Sequence, residues 1–219
     1  MLPEDLPQLL AERLAQPLPG QRAQSRLAPD LSYGRQYGPA ALDARPAAVA
    51  VLLFPRDGRW WLPLTLRPEH LLDHAGQISL PGGTVEGDEG HLAAALRELE
   101  EELGVPRDAP QMLGSLTPLY LFVSNFLVLP WLAWLPEAPR LVPNPAEVSA
   151  VLELPLDVLL DAGHYGRHWI TRRAVRFAAP HIRWQTHQIW GVTGMILAEL
   201  AALLGAVRRD GPAAADRVA

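Results

Sequence analysis

The chain has 219 residues, 49% of them hydrophobic and 20% charged, with a net charge of −5 and no Cys; this is the balance of a globular protein with a sizeable core. The missing Cys excludes a disulfide framework, a thiolate zinc centre and cysteine redox chemistry, and it makes the cytoplasm the default compartment. The negative charge argues against nonspecific binding to nucleic acid or an anionic membrane, while the basic side chains are all Arg, whose planar donor fork suits phosphate and carboxylate.

Residues 5–16 have the pattern of a short amphipathic helix, and 17–45 are rich in Pro, Gly and Arg without periodicity. Residues 1–44 are therefore expected to form a helix and arm ahead of a compact domain at 45–207. The opening residues lack a basic stretch followed by an apolar core, so they do not read as a secretion signal. The apolar runs "PAAVAVLLFP" (46–55) and "RWWLPLTLR" (59–67) predict two strands joined through Asp57-Gly58, and a third strand is expected over Gln77–Leu80. A helix follows from Asp88, as N-cap, to Leu103, with Gly104 and Pro106 as the stop. Further strands are expected near 112–117, 126–135 and 148–153. The uncharged run Gln111–Pro136 has the length of a membrane span, but Pro118, Pro130 and Ser124-Asn125 divide it into strand-sized pieces. A last helix is expected from Trp190 to Val207, and 208–219 reads as a disordered tail. Strands and helices that do not alternate regularly predict an α/β fold, a mixed sheet covered by helices.

Glu98 to Glu102 places four glutamates in five positions. At about 100° per residue, Leu92, Leu96, Leu99 and Leu103 gather within about 60° to form the buried face. Glu98, Glu101 and Glu102 share an arc of about 100° roughly opposite, and Glu100 points elsewhere. Like charges at these spacings destabilise a helix by a few tenths of a kcal/mol per pair, and carboxylates at its C-terminal end oppose the macrodipole. A hard divalent cation, Mg²⁺ or Mn²⁺, would offset both. Gly82-Gly83 ahead of the helix lets backbone approach the same place, and Arg97 can hold a carboxylate or a substrate oxygen.

The spacing Gly83, five residues, Glu89, seven residues, Arg97-Glu98-Leu99, one residue, Glu101-Glu102, one residue, Gly104-Val105 resembles a complete Nudix box. The resemblance implies an α/β/α sandwich and a metal-dependent hydrolase of a nucleoside diphosphate linked to another moiety. It implies Glu98 and Glu102 as the main metal ligands, with the Gly82 carbonyl, and Glu101 as a ligand or general base. Glu147 is the second candidate for the base. Glu89 and Arg97 would support the loop–helix geometry by ion pairing.

Upstream, "LTLRPEHLLDHAGQISLPGG" (64–83) is similar to the signature of the coenzyme A pyrophosphatase subfamily at Thr65, Arg67, His74, Gly76, Gln77 and Pro81-Gly82-Gly83. Leu72 and Leu80 depart from it, where the subfamily usually carries Arg and Phe. The resemblance implies Arg67, His74, Gln77 and Gly83 as substrate-binding residues. It implies hydrolysis of coenzyme A or a derivative to a 4′-phosphopantetheine product and adenosine 3′,5′-bisphosphate. Two alternatives stay open: hydrolysis of another nucleoside diphosphate derivative, such as ADP-ribose or a dinucleotide, and a noncatalytic nucleotide-binding domain. The expected partner is a small molecule rather than nucleic acid or membrane, and the apolar strand 126–135 leaves a homodimer open.

Overall fold

The computed structural model describes residues 2–30, 38–68, 76–172 and 175–210. At its centre lies β1 (Arg45–Arg56). Ala48, Ala50, Leu52 and Phe54 pack to one side and Val51 and Leu53 to the other. Burial on both faces is why this strand reads as a continuous apolar run rather than an alternation. A turn with positive φ at Asp57 (52°) and Gly58 (69°) leads into β2 (Arg59–Leu66), as the Asp-Gly pair predicts. β3 (Ile78–Ser79) and β4 (Gly82–Thr84) follow, then α3 (His91–Leu103), named after the two N-terminal helices α1 (Leu6–Leu14) and α2 (Gly20–Gln24). Strands β5 (Gln111–Ser115), β6 (Leu119–Leu121), β7 (Phe126–Trp134) and β8 (Ala150–Pro155) complete the main sheet.

That sheet is mixed. β1 runs parallel to β7, from Arg45 opposite Phe126 to Leu53 opposite Trp134, and antiparallel to β2 and β4. β2 also pairs with β3 and β8, and β7 with β5 and β6, all antiparallel. α3 covers one face through Ala94, Ala95, Leu99 and Leu103. The other face is covered by α4 (Gly191–Asp210), through Ile196, Leu197, Leu200, Leu203 and Leu204. The result is the expected α/β/α sandwich. The stretch Gln111–Pro136 forms β5, β6 and β7. Among the described residues one helix, Gly191–Arg209, is long and apolar enough to cross a membrane by length and composition, but 61% of that stretch is buried inside the protein.

Several boundaries differ from the sequence expectations for physical reasons. α3 starts at His91 with Gly90 as its cap, not at Asp88, because residues 86–89 close their own turn: the Glu86 N–H donates to Glu89 Oε1 (2.9 Å) and the Glu89 N–H to Glu86 O (3.1 Å). Its buried face is also rotated. Leu92 and Leu96 are only half-buried, while Glu98 and Glu102 go under with Leu99 and Leu103. The third strand shrinks to two residues, and glycine-rich β4 carries no apolar alternation that would reveal it. A separate antiparallel sheet, β9 (Tyr165–Arg172), β10 (Val175–Trp184) and β11 (His187–Trp190), is built from His-, Arg- and Gly-containing segments that lack a clean period of two. The last helix runs to Asp210, past the expected end at Val207; residues 211–219 lie outside the described residues.

The N-terminal segment packs on the sandwich. Leu6, Leu10 and Leu27 join the core that contains α4. The fully buried Glu199 of α4 accepts hydrogen bonds from the Gly20 N–H (3.1 Å), Gln24 Nε2 (3.0 Å) and Thr117 Oγ1 (2.6 Å). A carboxylate without such donors would be costly there, so α2 and the β5–β6 connection are tied to α4 through one side chain.

Candidate active site

The site forms where β4 and the C-terminal half of α3 meet. Gly82 and Gly83 pair with Val49 and Ala48 of β1 and leave no room for a side chain. A Cβ on Gly82 would strike the Ala48 carbonyl oxygen, and one on Gly83 would strike the Glu98 carboxylate. Both glycines are therefore required by close approach, one to backbone and one to the carboxylate itself.

Glu98 and Glu102, one turn apart on α3, are 8% and 3% exposed. Glu147 reaches them from the segment ahead of β8. One ligand oxygen from each of the three lies within 4.8 Å of the others, and among the described residues no other group of His, Asp and Glu converges in this way. Burial pushes the Glu98 carboxyl upward, opposed by Arg97. Glu102 is pushed up to about 8, first by burial and then by the charge of Glu98; a backbone hydrogen bond from Gly82 and the charge of Arg67 work the other way. Glu102 Oε2 is buried and has no hydrogen-bond partner among the described residues.

Arg97 organises the outer side. Its Nη1 donates to Glu98 Oε1 (2.8 Å) and Glu101 Oε2 (3.0 Å), and its Nη2 to Glu89 Oε1 (2.8 Å) and the Thr84 carbonyl (2.9 Å). These carboxylates raise its pKa, Glu89 most of all, and in return Arg97 lowers that of Glu89. The guanidinium thus links the β4 loop and Glu89 to α3. Glu101 does not join the cluster. Its side chain is 43% exposed and lies between Arg97 and Arg107, the latter 3.7 Å away.

Arg67 stands at the end of β2 with its Nε buried and without a hydrogen-bond partner among the described residues. Its backbone N–H donates to the Gln77 carbonyl (3.0 Å) and its own carbonyl accepts from the Gly76 N–H (3.2 Å), which closes the loop between β2 and β3. His74 and Leu72 lie in that loop and outside the described residues. Composition could not have revealed the part played by Arg107, which pairs with the outer glutamates; Asn144 anchors the segment bearing Glu147.

Among the described residues the donor set suits a hard divalent cation: three carboxylates, no sulfur or imidazole, and one buried oxygen without a partner. Residues 44–185 match the family model described as the NUDIX domain. The chain belongs to the Nudix family. Among its relatives is the uncharacterized Nudix hydrolase NudL of Photorhabdus laumondii, 39% identical over 141 residues, covering 64% of this chain and 75% of that protein. Another is the NudL protein of Klebsiella pneumoniae, 38% identical over 169 residues, covering 76% and 86%. The chain is also similar to the solved structure of a MutT/nudix family protein from Enterococcus faecalis, at 20% identity and a TM-score of 0.49, covering 77% of this chain and 65% of that one. The protein is thus a Nudix hydrolase, of a family that uses divalent metal ions and acts on nucleoside diphosphate derivatives.

Proposed function

We propose that this Nudix hydrolase cleaves the diphosphate bond of coenzyme A or a derivative, releasing a 4′-phosphopantetheine product and adenosine 3′,5′-bisphosphate, with Mg²⁺ or Mn²⁺. The observation that carries this reading is the stretch 64–83, which resembles the coenzyme A pyrophosphatase signature and runs directly into the carboxylate site. The Nε of Arg67, near the charge of Glu102 and without a hydrogen-bond partner among the described residues, supports it as a donor to a diphosphate oxygen. Glu98, Glu102 and Glu147, with the Gly82 carbonyl, are assigned to hold the cation. When bound, the cation supplies charge neutralisation of the diphosphate and activation of water.

Around it the side chains divide the work. Arg67 and Gln77, with His74 in the adjoining loop, orient the substrate, and Gly83 keeps the floor open to it. A proton from the attacking water goes to Glu147, the carboxylate that reaches the cluster from outside α3; Glu101, engaged by two arginines, is the alternative base. Glu89 and Arg97 keep the β4 loop in register with α3. The cytoplasm is the proposed compartment.

Incubation with Mg²⁺ and a panel of coenzyme A, ADP-ribose and dinucleotides, with products identified by mass, tests the reading. Coenzyme A is expected to be turned over fastest. Faster turnover of ADP-ribose would overturn the assignment in favour of the second reading, which Leu72 favours because it removes a cation the subfamily uses. Ligand binding without turnover of any member would establish a noncatalytic domain.

A further inference from the structure

Glu147 is delivered to the site by a short arm, "LVPNPAEV" (141–148). Pro143 and Pro145 have no N–H, so Val142 and Asn144 supply the donors between and before them. A residue preceding Pro is held extended, and in an extended chain alternate donors face the same side. Both donors are used on one target. The Val142 N–H donates to the Leu103 carbonyl (2.8 Å) and the Asn144 N–H to the Glu102 carbonyl (3.0 Å). These are last-turn carbonyls of α3, which a helix leaves without internal partners. The arm is thereby docked on the backbone of Glu102, whose side chain already lies in the cluster.

At Asn144 the chain turns. Its carbonyl accepts from the Glu147 (3.1 Å) and Val148 (2.8 Å) N–H groups, and its Oδ1 accepts from the Ala146 N–H (3.1 Å). With Oδ1 engaged, the amide nitrogen faces the other way, and Nδ2 lies 3.4 Å from Glu147 Oε1. One residue therefore contacts the backbone of one cluster carboxylate and the side chain of another.

We propose that Asn144 is a positioning residue: its side-chain amide holds the Glu147 carboxylate against Glu98 and Glu102 and so sets the affinity of the cluster for a divalent cation. The proposal rests on the metal-dependent reading of the site but not on the identity of the substrate. It is tested with Mn²⁺ alone, by electron paramagnetic resonance titration of the full chain, where no turnover is needed. Removing a group that orients a metal ligand costs about ten- to a hundredfold in affinity. Asn144→Ala is expected to weaken Mn²⁺ binding by about tenfold, with an unchanged circular dichroism spectrum. Asn144→Ser keeps a hydroxyl oxygen for the Ala146 N–H, but its shorter side chain lacks the amide Nδ2 that reaches Glu147 Oε1, and it is expected to show the same loss, which separates positioning from turn stability. In a Glu147→Gln background, Asn144→Ala is expected to add no further loss, because its effect runs through that carboxylate. Wild-type Mn²⁺ affinity in Asn144→Ser, or losses that multiply in the double variant, would overturn the proposal. A chain inactive on every diphosphate that still shows this Mn²⁺ pattern would refute the proposed substrate and leave the role of Asn144 standing.

Discussion

Within little more than one turn of α3, two pairs of glutamates sit in opposite environments. Glu98 and Glu102 are buried beside Leu99 and Leu103, and Glu102 keeps one oxygen without a partner among the described residues. Glu100 and Glu101 have side chains about two-fifths exposed and are matched by arginines: Arg107 Nε lies 2.6 Å from Glu100, and Arg97 Nη1 lies 3.0 Å from Glu101. The outer pair already has counter-charge and water. The inner pair has less of both, and a buried carboxylate without compensation is expensive. The difference teaches which carboxylates require a cation: those that the fold has removed from solvent without supplying enough donors.

The largest effect should come from breaking the inner pair. Glu98→Gln and Glu102→Gln are expected to lower turnover by at least about a hundredfold, since a bound metal ion contributes several kcal/mol of charge stabilisation in the transition state. Turnover assays with circular dichroism as the fold control check this, and near-normal rates would refute the metal assignment. The same pair should govern metal-free stability. With Glu102 raised from an ordinary value of 4.5 to about 8, the folded protein holds a proton that the unfolded chain has released between those values. The unfolded state then binds fewer protons, so stability falls as pH rises from about 4.5 to about 8 and levels off outside that window. Thermal melts in chelator at pH 5 and pH 8 should show this drop in the wild type and a smaller one in Glu102→Gln. Added Mg²⁺ should recover the wild type at pH 8 more than the variant.

Much of this site was legible because it is local. The box from Gly83 to Val105 lies on one loop and one helix, so spacing alone brought Glu98 and Glu102 to one face and placed the glycines beside them. The helical wheel could not show how α3 is rolled on the sheet. It grouped Glu101 with the inner pair, whereas burial of Ala95 against β1 turns Glu101 outward to Arg107. Tertiary partners stayed hidden for the same reason. Leu6 and Leu10 have helical spacing, but the spacing does not name the core beside α4 in which they are buried, nor the buried Glu199 that accepts from Gly20, Gln24 and Thr117. The apolar central strands were readable because burial on both faces leaves a continuous run; β9 to β11, with polar residues on both faces, leave none.

Smaller effects sharpen the contrast. Glu147→Gln removes the one cluster carboxylate not carried by α3 and the proposed base, and general-base contributions are about a hundredfold or more. Its loss in kcat should therefore exceed that of Glu101→Gln, whose exposed pairing is worth at most about 1 kcal/mol, a factor of about five. The opposite order, measured in steady-state kinetics at saturating Mg²⁺, would move the base to Glu101.

The smallest effect belongs to Glu100. Its contact with Arg107 is short, but both side chains are 42–50% exposed, and an ion pair in that setting is screened by solvent and salt. Its partner Arg107 also reaches Glu101, itself outside the cluster, at only 3.7 Å. Glu100→Gln should thus leave turnover and Mn²⁺ affinity unchanged and shift the thermal midpoint by no more than a surface substitution does. A loss of Mn²⁺ affinity in this variant would mean that Arg107 couples the outer glutamates to the inner ones, and that the two pairs act as a single charged network rather than two independent sets.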